Sequence, residues 1–279
     1  MPDDLAAVRT RIHGVRQLDT VIGAMRGIAA THAQQSRLLL PGFRAYAEVI
    51  ARAIASALRL RDDPPPARSD RSRCARIVFC AEQGFVGGFA ERILDDALGR
   101  GPADLFLIGS RGLSLASARG VATTWQSAMA TQTDGIAALC IRIASALYET
   151  ILVQRTTTVE VAYPVWAPGE GLRVACQSLL PLDEHRFQTN AAPMPPLTTL
   201  PPDLLLASLA EEYVFASLCE AAMHAFVAEN EARAATMVRA RSKVQDILAE
   251  LRLSEHRVRQ EAITAELVEL AGGSLAETR

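Results

Sequence analysis

An α/β unit set between two long helices, which pair as an antiparallel coiled coil, is the fold class this sequence predicts. Three observations carry it. Residues 3–61 contain a single proline, Pro41, and consist mainly of good helix formers. Residues 203–271 contain neither proline nor glycine. Between them the text alternates short apolar runs with glycine turns and helix-period segments, the pattern of a sheet covered by helices.

In the first helical stretch Leu5, Val8, Ile12 and Val15 fall at alternating steps of three and four. The seam continues through Ile22, Met25 and Ala29, with one slip near Leu18-Asp19. A stripe this narrow belongs to a coiled coil rather than to a helix lying on a globular core. Pro41-Gly42 predicts a kink or short break, after which Phe43, Ala47, Ile50, Ile54 and Leu58 resume a helical face.

Residues 62–73, with Pro64-Pro65-Pro66 and many charges, read as a linker. Strands are predicted over 75–81, 104–109 and, weakly, 121–125, and helices over 87–98 and 134–152. Residues 157–165 and 172–180 form a strand pair around Pro168-Gly169. That order gives a small Rossmann-like α/β domain over 74–181. Residues 182–202, rich in proline and threonine, form a second connector. Asp203 stands as the N-cap of the last helix, and Gly272-Gly273 as its stop. Val244, Leu248, Leu251, Val258, Ala262 and Ala265 keep heptad spacing there, with Glu255 intruding. The two seams are rich in alanine, so the backbones can approach closely. A helical bundle packed around the α/β domain is the alternative arrangement.

Apolar residues make up 49% of the chain, enough for a real core, and the net charge is −2. That balance argues against nucleic acid as a partner. No apolar run approaches the ~20 residues that span a bilayer, and Met1-Pro2-Asp3-Asp4 is unlike a secretory or transit signal. A cytoplasmic protein is expected. The five scattered cysteines, Cys74, Cys80, Cys140, Cys176 and Cys219, read as buried free thiols.

Gly84-Phe85-Val86-Gly87-Gly88 follows a strand and precedes a helix, where a phosphate cradle would sit. It is neither GxGxxG nor a P-loop, and the only lysine, Lys243, lies within the long last helix. Structural turn glycines are the stronger reading. His13, His32, His185, His224 and His256 show no ligand spacing, and no motif supports Ser110 as a nucleophile. No catalytic residue, metal or cofactor is therefore expected. Arg9, Arg11, Arg16 and Arg26 stud the first helix, and Arg239, Arg241, Lys243, Arg252, Arg257 and Arg259 the last. They read either as solvated helix faces or as a charged bearing.

The two ends resemble the γ subunit family of F-type rotary ATP synthases. Val8-Arg9-Thr10-Arg11-Ile12 resembles the family's basic-rich start, and Ala24-Met25-Arg26-Gly27-Ile28-Ala29-Ala30 its "AMKMVAA" motif. Arg259-Gln260-Glu261-Ala262-Ile263-Thr264-Ala265-Glu266-Leu267 resembles "RQAAITQEI", and Glu269, Leu270, Gly272 and Gly273 follow as in "EIVGG". The central glycine turn resembles "GLCGG", and Leu179-Leu180-Pro181 the "LLP" that closes the α/β part. The similarity runs through the chain in the family's order. Departures include Thr20, Gly23 and His32 where basic residues are usual, and Glu255-His256 in place of a Tyr-Asn pair.

The resemblance implies a central rotor shaft without catalysis of its own, at the cytoplasmic face of the cell inner membrane. Its implied partners are a hexamer of catalytic α/β subunits, a membrane c-type ring and a small ε-type accessory subunit. Arg9, Arg11, Met25, Arg26, Arg259, Gln260, Thr264 and Glu266 are the implied bearing and torque belt. Met25 and Arg26 are expected near Arg259 and Gln260 across the coil. A coiled-coil adaptor outside an ATP synthase and a stand-alone α/β enzyme with helical extensions are the other readings.

Overall fold

A computed structural model describes residues 2–60, 73–154, 156–167, 169–183, 187 and 197–276, with backbone alone for 2, 3 and 269–276. The linker expected over 62–73 lies outside them except for Arg73, as do His185 and most of the second connector. In chain order the elements are α1 (Pro2–Leu58), β1 (Arg73–Phe79), α2 (Phe89–Gly99), β2 (Asp104–Ile108), α3 (Ser110–Ala118), β3 (Trp125–Ser127), α4 (Ile136–Gln154), β4 (Thr156–Ala167), β5 (Gly171–Leu180) and α5 (Pro202–Ala276).

The ends are helical as expected, with two corrections, at Asp203 and at Gly272-Gly273; of the kink or break expected at Pro41-Gly42, the break is absent. Helix α1 runs through Pro41 and Gly42 without a break. A proline there removes one i→i−4 bond, and both residues lie on the exposed side where water can replace it. Helix α5 starts at Pro202, so Asp203 stands in the first turn rather than capping it. A proline suits that first position because its missing N–H has no helical partner anyway. At the other end α5 passes through Gly272-Gly273 to Ala276.

Two compact units divide the chain, Ala29–Arg233 and Met1–Ile28 with Ala234–Arg279. The first is built on a five-stranded sheet in the order β3-β2-β1-β4-β5. Strands β3, β2, β1 and β4 are parallel, and β5 returns antiparallel to β4. Side-chain alternation sorts the sheet into two faces. Ala75, Ile77, Phe79, Phe106, Ile108, Val159 and Val161 point into a cluster with α4 and the Val214–Phe226 part of α5. Val78, Cys80, Leu105, Leu107 and Ala162 point into a second cluster with α2, Ala116 of α3, and Ala228 and Ala232 of α5. Strands covered on both faces read as continuous apolar runs, which is why β1 and β2 are plain in the text.

Helix α3 is the element that sequence periodicity does not announce, since it is only nine residues, most of them serine, glycine, alanine and leucine. Residues Thr133–Gln154 qualify the expectation about membrane spans. By length and mean hydropathy, 1.8, this stretch is apolar enough to cross a bilayer. Ile136, Leu139, Cys140, Ile143 and Leu147 are nonetheless fully buried in the sheet's core.

In the second unit Ile12 and Ile22 of α1 are buried with Met237, Val244 and Leu248 of α5, flanked by Val8, Val15, Met25, Ala240 and Leu251. The irregularities in the seams prove to be charge pairs. Asp19, at the apparent slip, accepts from Arg241 Nε at 3.2 Å, and the intruding Glu255 accepts from Arg9 Nε at 2.9 Å. Residue numbers thus rise along one helix as they fall along the other.

The cysteines are all free among the described residues, with Cys80, Cys140 and Cys219 buried and Cys74 and Cys176 half-buried. Burial pushes the Cys80 thiol up to about 12 and the Cys74 thiol to about 11, so neither is a ready thiolate.

Candidate functional site

The crevice at the carboxyl ends of the parallel strands, where the chain moves from one side of β1 to the other, is where an α/β sheet of this kind would take a ligand. In this chain α5 fills it. The Glu229 carboxylate accepts the Glu82 N–H at 2.9 Å and the Gln83 N–H at 3.0 Å. Those are the donors that a phosphate would need after β1. Arg233 pairs with Glu229, bonds Asn230 Oδ1 at 3.2 Å and donates to the Gly84 carbonyl at 3.3 Å. Glu229, Asn230 and Arg233 are 5%, 4% and 8% exposed.

Glu82 extends the network. Its carboxylate accepts from Ser110 N–H (2.9 Å), Ser110 Oγ (2.6 Å) and Met129 N–H (2.7 Å). Ser110 is thereby a helix-start hydroxyl bound to a carboxylate, and no histidine among the described residues bonds it. The β2–α3 junction lies hard against β1. A Cβ at Gly109 (φ +111°) would fall 2.6 Å from the Cys80 and Ala81 carbonyl oxygens, and one at Gly112 would fall 2.5 Å from the Cys80 side chain. Phe85, at φ +62°, is the non-glycine residue held left-handed in the 84–88 turn, and its ring is exposed. Of the turn glycines, Gly87 is held left-handed at φ +65°, and the N–H groups ahead of the turn already have the Glu229 carboxylate as their anion.

Glu229, Asn230, Arg233 and Glu82 were not singled out by sequence. The signal was present: a Glu and an Arg four apart, following the apolar run Ala225–Ala228, sit where an unpaired charge would be costly.

The expected belt residues all lie in the second unit. Arg9 is bound to Glu255, and Arg259 stands 3.7 Å from the same carboxylate. These cations hold Glu255 below the ordinary carboxylate range, with Arg9 the larger influence. Arg11 and Arg26 are exposed and have no carboxylate partner among the described residues. Met25 is half-buried in the seam. Gln260, Thr264 and Glu266 are exposed. Gln260 and Thr264 line a shallow groove with Arg257, Glu261, Ala265 and Val268.

The structure does not bring Met25 and Arg26 to Arg259 and Gln260. Met25 packs in the cluster that holds Met237, whereas Arg259 lies beside Glu255, the partner of Arg9. About 22 residues of α5 separate Met237 from Arg259, ~33 Å at ~1.5 Å per residue. The pairing of ionic and apolar seam positions sets this register, and motif resemblance carries no information about it. The eight residues therefore form two groups, not one.

No group of three or more histidine, cysteine, aspartate or glutamate residues among those described could hold a metal. His13 bonds Gln17, His32 lies against Phe226, and His224 stacks on Tyr163.

Comparison with known proteins places these features in a family. The family described as ATP synthase matches residues 4–276. A chain named ATP synthase gamma chain from Parafrankia sp. is 26% identical, the alignment covering 99% of this chain and 98% of that one. Its namesake from Haemophilus influenzae is 23% identical over 96% and 98%. Among solved structures, a rotor chain of the Euglena gracilis mitochondrial ATP synthase superposes with a TM-score of 0.61 at 10% identity, covering 94% of this chain and all of that one. A second chain of that enzyme, from a structure of its OSCP, F1 and c-ring parts, gives 0.68 at 12% identity, covering 99% and 95%.

Proposed function

The chain belongs to the ATP synthase family, and we propose that it is the γ-type central rotor shaft of such an enzyme, with no catalysis of its own. The observation that carries the reading is the second unit, together with the full-length family match. Two helices of 57 and 75 residues bring their far ends together along one narrow seam, with Arg9 on Glu255 and Asp19 on Arg241. We read that seam as an antiparallel coiled coil. Such a pair is stiff and presents a different side chain at every angle.

The partners that fit are a surrounding ring of catalytic subunits, a membrane c-type ring and a small ε-type subunit, at the cytoplasmic face of the membrane. Rotation would carry the exposed residues of the two belts past each catalytic subunit in turn. Arg11, Arg26, Gln260, Thr264 and Glu266 offer single, solvated contacts, each worth ~1 kcal/mol or less. Contacts of that size bias a neighbouring loop without trapping the shaft at one angle. Ion flow would drive the rotation for synthesis, and hydrolysis in the ring would reverse it.

The crevice supports the reading of a chain without catalysis, because Glu229 holds the main-chain donors that a nucleotide phosphate would use there. The test is affinity purification of the full chain from its own cells, with identification of everything that binds. Stoichiometric recovery of a hexameric ATPase ring supports the reading, as does lack of ATP turnover by the chain once separated from it. Recovery with other partners and no ATPase ring would replace it with an adaptor.

A further inference from the structure

We propose that Glu229 and Arg233 are positioning residues that lock helix α5 to the ends of strands β1, β2 and β3, so that twist carried by α5 enters the sheet through main-chain hydrogen bonds. The role rests on the rotor reading given above.

Apolar burial holds α5 on the sheet but is non-directional, and a smooth apolar face resists sliding poorly. Hydrogen bonds weaken steeply when bent or stretched, so they resist it. In the first unit α5 is bonded to other elements at several places, Gln177 Nε2 of β5 to Tyr213 OH at 3.1 Å and Arg44 to Glu220 at 3.5 Å among them. Its side-chain bonds to main-chain groups at the strand ends, however, are gathered at Glu229 and Arg233. Both Glu229 oxygens take an N–H of the turn after β1, and Arg233 takes that turn's Gly84 carbonyl. The residue that donates to Glu229, Glu82, uses its own carboxylate to hold Ser110 at the start of α3 and Met129 beyond β3. A single buried carboxylate on α5 is thereby connected to the loops that follow three strands.

Stability alone does not call for this arrangement. A buried ion pair pays heavily in desolvation, and an apolar pair of similar volume often stabilises as well or better. What the charged pair supplies is a fixed position. Its lone pairs and donors match the main chain of the 82–84 turn in one placement, and displacing α5 leaves buried polar groups without partners.

A simple i,i+4 ion pair and a lock predict different outcomes for a charge swap. Glu229→Arg with Arg233→Glu restores an ion pair on α5, but the guanidinium then facing the turn cannot accept the N–H groups of Glu82 and Gln83. The experiment measures amide hydrogen exchange at Glu82 and Gln83, and ions pumped per ATP hydrolysed, in the complete membrane-bound enzyme. Glu229→Gln, which keeps the shape and one acceptor, guards against a Glu229→Ala chain that fails to fold.

For the lock, exchange at the two amides rises about tenfold in Glu229→Ala and in the swapped pair, and less in Glu229→Gln, as loss of one or two bonds implies. Pumping per ATP falls by about half or more in the first two. Recovery of both readouts in the swapped pair overturns the proposal, as does raised exchange with an unchanged pumping ratio. A wild-type chain that joins no catalytic ring sinks the rotor reading itself. That failure shows before any substitution is made, so the two are distinguishable.

Discussion

Arg9 Nε lies 2.9 Å from Glu255 Oε1, and this one contact ties the beginning of helix α1 to the last third of helix α5. Together with Asp19 on Arg241 it sets which residues face each other, because apolar seam positions alone tolerate a shift of one heptad. Met25 then faces the neighbourhood of Met237.

Cysteines placed at Met25 and Met237 should therefore form a disulfide within one molecule under mild oxidation. Met25 with Arg259 should not, since two residues ~33 Å apart along the helices are far beyond the ~7 Å that a disulfide bridges. Gel mobility of the oxidised full chain, with mass analysis of the linked peptides, decides it. A Met25–Arg259 bridge in place of Met25–Met237 would show that the helices pair in a different register in solution.

Arg76 is a second position with a large expected effect. It is 4% exposed and gives its donors to Glu160, to the Ala97 and Arg100 carbonyls at the end of α2, and to Gly101. Arg76→Ala leaves the buried Ala97 carbonyl and the part-buried Arg100 and Gly101 carbonyls unpaired, and should cost on the order of 3 kcal/mol. Glu160→Ala should cost less, because that carboxylate is 29% exposed and water can partly replace it. Denaturant midpoints of the purified chain give both values, and equal losses would remove the carbonyl contacts from the explanation.

The sheet was legible because its parallel strands are buried on both faces. ARIVF in β1 and LFLI in β2 carry apolar side chains to two cores at once. Helix α3 was not, since Ser110–Ala118 buries only Gly112 and Ala116 and shows little period. The lock at Glu229 was hidden for a different reason. Its meaning depends on a turn 146 residues earlier in the chain, at Gln83, and no local pattern reports that distance. Seam polarity misled in the same way. Asp19 and Glu255 look like defects singly and are complementary only once Arg241 and Arg9 are seen beside them.

Acid should weaken the contact between α1 and α5 in the first unit. The Glu220 carboxyl is held below its ordinary value near 4.5, first by His224 and then by Arg44. A carboxyl depressed in the folded state contributes stability that is fully present above its unfolded value and is lost as pH falls through the folded one. Thermal midpoints should thus fall below about pH 4.5. In Glu220→Gln the midpoint should start lower at pH 6 and lose less on acidification. Parallel curves for the two chains would mean that other carboxyls govern acid unfolding.

Gln260 and Thr264 lie apart from Arg26, and on the rotor reading proposed above the two groups would act separately, which can be measured. The Thr264 hydroxyl donates to the Gln260 carbonyl at 2.8 Å, which leaves its lone pairs and the Gln260 amide facing outward. Replacing both by alanine keeps the helix, alanine being the better helix former. If each side chain gives a partner loop ~1 kcal/mol, ion-driven ATP synthesis should fall by about tenfold or more while assembly stays normal. Arg26→Ala should lower synthesis through contacts of its own near Met25. Sites this far apart with no shared partner act additively to within ~0.5 kcal/mol. The triple variant should therefore show the product of the two losses to within about a factor of two. Synthesis rates in vesicles, normalised to the amount of assembled enzyme, test this directly. A triple variant no worse than the poorer parent would mean that both belts feed one contact, and that the two groups of residues act as a single patch on the partner.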